Sequence, residues 1–197
     1  MENSVARRMR LNAVGFTLNL GLALVQTLLP VYLKALGYSG ATIGLVFTVN
    51  MALMALTSLP AGRLADAVGF RVPILLSGAL YCLIGLAVLL LEHPLAVGMM
   101  AALMGVAVGL FRPAATALLS RLVQASRMGT AFAVFYTSCM IGAMSGSFMS
   151  GLLSDLYGFR PLFLLLAVTA SLSLAMAPPS VRSTGGGSMA TSEPPQP

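Results

Sequence analysis

The sequence predicts an all-α integral membrane protein of six transmembrane helices, arranged as two inverted three-helix repeats. Three observations carry that prediction. Of 197 residues, 58% are hydrophobic and only 8% charged, with a mean hydropathy of +0.93. The apolar residues fall into six long runs, and one loop pattern occurs twice, 89 residues apart. Soluble domains carry about 25% charged residues, so 11 basic and 5 acidic side chains cannot cover a globule in water. A cytosolic enzyme is excluded, and the lipid bilayer is the first partner.

A helix needs about 20 apolar residues to cross the roughly 30 Å hydrocarbon core. The first such run, 11–33, follows Arg7, Arg8 and Arg10 like the start of a signal peptide. Its 23 residues exceed a signal core, and no small-x-small cleavage site follows, so it is expected to stay as an anchor. Runs 41–62, 72–91, 95–119, 128–153 and 162–177 complete the six, with Arg112 interrupting the fourth. The alternation of a membrane strand is absent from all of them. Residues 1–10 then form a basic N-terminal segment, 11–91 the first repeat and 95–177 the second. The stretch 178–197, rich in Pro, Gly and Ser, is expected to be a disordered tail or the start of a central linker.

Lys and Arg in short loops set orientation. Arg7, Arg8, Arg10, Arg63, Arg71, Arg121, Arg127 and Arg182 fall on one side, Lys34 and Arg160 on the other. Both termini are therefore expected in the cytoplasm, with the chain in the plasma (inner) membrane. The formal charge of +6 records this placement. Without a basic patch interleaved with aromatics it implies no nucleic acid. Cys82 and Cys139 lie in apolar runs and read as small hydrophobes.

The doubled pattern is Gly-x-Leu-x-Asp-x-x-Gly-Phe-Arg, at Gly62 to Arg71 and again at Gly151 to Arg160. An offset of three spans makes helices one to three and four to six copies of one unit. Because three is odd, the copies are inserted upside down, as in many transporters. Gly69 and Gly158 suit a chain reversal needing positive φ. Asp66 and Asp155 are placed to pair with Arg71 and Arg160 across each turn. A local turn with an ion pair explains the second copy, Asp155, Gly158 and Arg160, without any further role.

With these residues the chain resembles the amino-terminal half of a major facilitator superfamily (MFS) transporter. Gly62, Asp66, Gly69 and Arg71 are similar to that family's motif A, although Ala67 and Phe70 stand where basic residues are usual. The resemblance implies a loop that latches onto the other half and governs the switch between outward-facing and inward-facing states. Gly142, Gly146 and Gly151 match the antiporter motif C, with Ser147 and Ser150 replacing its proline and a glycine. That similarity points to an exporter; the same small residues also make a face for close helix packing. The fourth run, with Gly105, Gly109 and Pro113, resembles the family's glycine-rich helix, but Ala101 stands where motif B has its arginine.

Arg112 is the only ionisable residue inside a span. Such residues cost at least about 2.5 kcal/mol on insertion scales and are functional candidates by default. Two roles fit it: snorkelling to the headgroups about 10 Å away along the helix, or lining a cavity. No Asp or Glu lies in a span, and His93 sits beside Glu92 and Pro94 in a loop, so proton coupling has no assigned carrier. Asn19 and Gln26 are seven apart on one helical face. In the family the first and fourth helices line the central cavity, so Asn19, Gln26, Asn50, Arg112 and Tyr136 are the substrate-cavity candidates. For any one of these polar groups, an interhelical hydrogen bond is the competing role.

No nucleophile, base or metal-spaced cluster appears, and no cofactor or metal is implied. Two functions stay open. One is MFS-type transport of a small molecule by alternating access, with a homodimer or a second six-helix half supplying the opposing wall. The other is a non-transporting membrane protein, either a truncated remnant or a packing partner of a full-length carrier.

Overall fold

A computed structural model describes residues 2–90 and 94–177. The expected tail at 178–197 and the loop containing His93 lie outside the described residues. Among those described, the chain forms α1 (Glu2–Gln26), α2 (Leu29–Ala35), α3 (Gly40–Val68), α4 (Arg71–Leu90), α5 (Pro94–Leu122), α6 (Met128–Tyr157) and α7 (Arg160–Met176). A single 3-10 turn at Ala125–Arg127 leads into α6.

Among the described residues, five helical stretches are long and apolar enough to cross a membrane: Val5–Ala35, Gly40–Val68, Arg71–Leu90, Leu95–Leu122 and Ala125–Tyr157. The sixth, Arg160–Met176, has 17 residues. At about 1.5 Å per residue it spans roughly 25 Å, the short limit for a crossing helix. The first run is not one helix. It breaks after Gln26, because Pro30 has no N–H to return to that carbonyl and its ring needs the space. Pro30 instead occupies the first turn of α2.

Packing pairs α1 with α6, α3 with α5, and α4 with α7; α1 also meets α7, and α4 meets α5. Exchanging each helix for its counterpart three spans away reproduces the same set of pairs. The glycines repeat this symmetry in detail. A methyl at Gly142 or Gly146 of α6 would collide with the Phe16 or Leu20 carbonyl of α1. One at Gly105 or Gly109 of α5 would meet Asn50 or Thr57 of α3. Phe16 and Leu20 lie one repeat offset before Gly105 and Gly109, so the two seams are copies in which the glycines come from opposite partners. Where two backbones touch, only glycine fits.

The core lies between α1, α4, α5 and α7, around Leu11, Val14, Leu24, Ile84, Leu119 and Leu166. Helices α3 and α6 stand at the flanks, presenting Met51, Leu56, Leu59, Met144 and Phe148 outward. Hydrogen bonds to backbone carbonyls tie helix to helix: Asn50 Nδ2 to Ala101 (2.8 Å), Ser77 Oγ to Ala107 (2.7 Å) and Ser150 Oγ to Leu24 (2.6 Å).

Candidate functional site

The face shared by α1, α5 and α6 is concave along its length. At the N-terminal end of the chain a hollow of about 520 Å³ opens between Arg8, Asn12, Leu119, Arg127 and Val134. Deeper along the same helices a second hollow, of about 160 Å³, is lined by Asn19, Phe111, Arg112, Thr116, Phe135, Tyr136, Cys139 and Met140. Arg112, Thr116 and Leu119 follow each other at helical spacing on α5, so the two hollows share one wall. Beyond Arg112 the groove pinches against Leu22, Tyr81 and Val108, where only about 10 Å³ remains.

Three sequence candidates, Asn19, Arg112 and Tyr136, therefore meet in one hollow. Gln26 and Asn50 do not join them; they flank a separate seam holding about 10 Å³, roughly one water. Asn50 is buried and its amide nitrogen is occupied by the Ala101 carbonyl, so it acts there as a tie between α3 and α5. Asn19 donates to the Gly15 carbonyl of its own helix at 2.7 Å. Tyr136 is half exposed and stands edge-on to Phe135, with centroids 5.7 Å apart. Phe111, Thr116 and Phe135 complete the hollow and were not marked by any motif; only their helical spacing from Arg112 and Tyr136 points to them.

The loop after α3 forms a second cluster. Gly69 has φ 98° and Gly158, its counterpart, φ 76°, so both reversals use the backbone freedom expected of them. The expected partner of Asp66 is corrected: the carboxylate pairs with Arg121 at the end of α5, at 3.2 Å, and not with Arg71. The same guanidinium lies 4.7 Å from the centroid of Phe70, a fully buried ring. Phe70, which replaces a basic residue of motif A, is thus the floor on which Arg121 rests. Asp155 makes no ion pair among the described residues, and its turn is held by Gly158 N–H donating to the Ser154 carbonyl. In the glycine face of α6, Gly142 and Gly146 are buried against α1. Gly151, like Gly62 in the other repeat, has open space where a side chain would stand.

A family model described as Major Facilitator Superfamily matches residues 11–192. The chain belongs to the Major Facilitator Superfamily. Among curated MFS relatives it is 34% identical over 155 residues to "Multidrug resistance protein MdtG" of Citrobacter koseri, covering 74% of this chain and 37% of that protein. The protein of the same name from Enterobacter lignolyticus is 32% identical, with 74% and 36% covered. Among solved structures, a POT family transporter in complex with 5-aminolevulinic acid superposes with a TM-score of 0.76 at 22% identity, covering 86% of this chain and 37% of that one. The POT family transporter PepTSo gives 0.77 at 19%, with 86% and 36% covered. These structures establish the MFS fold. The chain spans about 37% of the length of the first relatives it matches.

Proposed function

We propose that this chain is one six-helix half of an MFS-type secondary transporter, in which a second wall closes the groove of α1, α5 and α6 over a small-molecule cargo. The observation that carries this reading is the convergence of Asn19, Arg112 and Tyr136 in one hollow along α1, α5 and α6. Alternating access in such folds is the rocking of one half against another around a site at mid-membrane. A lone half lacks the surface to rock against. A second copy of the chain, or a different six-helix half, supplies it, and both halves then share one orientation.

The charge pattern of the loops supports cytoplasmic termini in an inner membrane. The wider hollow then opens towards the cytoplasm, where an exporter takes up its cargo. The resemblance to motif C and the similarity to proteins named for multidrug resistance support export. The loop at Gly62, Asp66, Gly69 and Arg71 is the proposed conformational latch, carried through Asp66 and Arg121.

Native mass spectrometry of the protein, extracted gently from its membrane, tests this against the 20.4 kDa chain. A doubled mass, or a complex with a second six-helix protein, is the expected result. A clean monomer leaves no opposing wall and overturns autonomous transport in favour of a remnant or packing partner.

A further inference from the structure

We propose that the groove is built for an anion: a cargo with an apolar body and a carboxylate, sulfonate or phosphonate head that seats on Arg112. The inference rests on the groove being the cargo path. Arg112 stands ten residues before the end of α5 at Leu122, about 15 Å of helix rise. Side chains in a helix lean towards its N-terminus, which for α5 is away from the nearer helix end. Arg112 accordingly lines the hollow with Asn19 and the pinch one turn back at Val108. That direction is opposite to the one snorkelling requires.

Arg112 is exposed on the open side of the hollow; once a second wall shuts out water, its guanidinium needs a counter-charge, because burying an unpaired charge is costly. Among the described residues, Arg112 makes no ion pair and no Asp or Glu lines either hollow. The other charges that line the route among the described residues have the same sign. Arg8 and Arg127 flank the wider hollow, so a solute moving inward meets two cations before the third. A cleft lined by one sign of charge concentrates solutes of the other, and the planar guanidinium fork matches oxyanions. Phe111, Phe135 and Met140 around it select for an apolar body.

The test uses the full chain in nanodiscs of zwitterionic phosphatidylcholine and two probes of one shape, naphthalene-2-sulfonate and 2-naphthyltrimethylammonium. After subtraction of empty discs, the sulfonate is expected to bind about tenfold more tightly. Arg112→Gln is expected to erase that preference, and Arg112→Lys to keep part of it. Equal binding, preference for the cation, no binding, or a preference that survives Arg112→Gln overturns the proposal. Should Arg112→Gln not fold, Tyr136→Phe and Asn19→Leu must each weaken sulfonate binding, and unchanged affinity in either is equally decisive against it. Displacement of the probe by added phosphatidylglycerol would assign the groove to lipid headgroups and overturn the cargo. A monomer that binds the sulfonate through Arg112 refutes autonomous transport and leaves the anion site standing; a dimer without charge preference does the reverse.

Discussion

Cys82 Sγ of α4 and Ser171 Oγ of α7 lie 3.5 Å apart and are separated by 89 residues, the offset that relates the two repeats. Two positions that are each other's counterparts can touch only where the symmetry axis passes between them. The neighbours obey the same operation. Gly78 packs on Leu174 and Gly85 on Ala167, contacts that interchange under the offset. Ser171→Cys is therefore expected to form a disulfide with Cys82 under mild oxidation, since the atoms need to close only to about 2 Å. After cleavage at a protease site placed in the 123–127 connection, the fragment carrying α1 to α5 and the fragment carrying α6 and α7 should stay joined until reductant is added. Separate fragments without reductant would refute the axis.

The copied seams predict a second result. Gly105→Val and Gly142→Val each drive a side chain into the backbone of the facing helix. Overpacking typically costs about 1–3 kcal/mol, occasionally more. Both variants should lose thermal stability in detergent, measured by thiol-independent scanning fluorimetry or aggregation. Gly151→Val, with nothing near its side-chain position, should melt within a degree or so of the parent.

How far the sequence reveals this depends on the range over which each constraint acts. Hydrocarbon demands long apolar runs, so the apolar runs are legible in the sequence, although the ends of the helices are not. The repeat is legible because both copies keep their loop. The partner of Asp66 is not, because Arg121 lies 55 residues away and becomes its neighbour only once α3 and α5 are packed. Arg71, five positions on, looks equally suitable to any local rule. The break after Gln26 was available in Pro30, but hydropathy averages across it. Asn19 and Tyr136 could be nominated as polar residues in spans; that they share a hollow with Arg112, while Gln26 and Asn50 share a tight seam, is decided by helix crossing.

The two reversals give a third prediction. Gly69 adopts φ 98°, ψ 157° and Gly158 φ 76°, ψ −165°. This region of conformational space is essentially restricted to glycine, and other residues held there cost about 1–3 kcal/mol. Gly69→Ala and Gly158→Ala should each destabilise by that order in a reversible denaturant titration. Equal stability of either variant would mean that its loop turns differently.

Asp66 and Arg121 give the last prediction, which separates stability from conformational control. Both side chains are well exposed, at 68% and 45% of their surface, so solvent and salt screen the pair. Such pairs contribute about 0–1 kcal/mol. Asp66→Asn and Arg121→Gln should therefore leave the melting temperature of the isolated half almost unchanged. A double-mutant cycle between them should show coupling of less than about 1 kcal/mol, fading with added salt. The matching cycle between Asp66 and Arg71 should show none, because those two do not pair. If the loop is the latch of a working carrier, the same Asp66→Asn change should abolish efflux in cells expressing the complete assembly. Its cost would then lie in the difference between two conformations and not in the fold of either. Full efflux by Asp66→Asn, at undiminished protein level, would remove the loop from the transport cycle and leave Asp66 and Arg121 as a surface pair resting on Phe70.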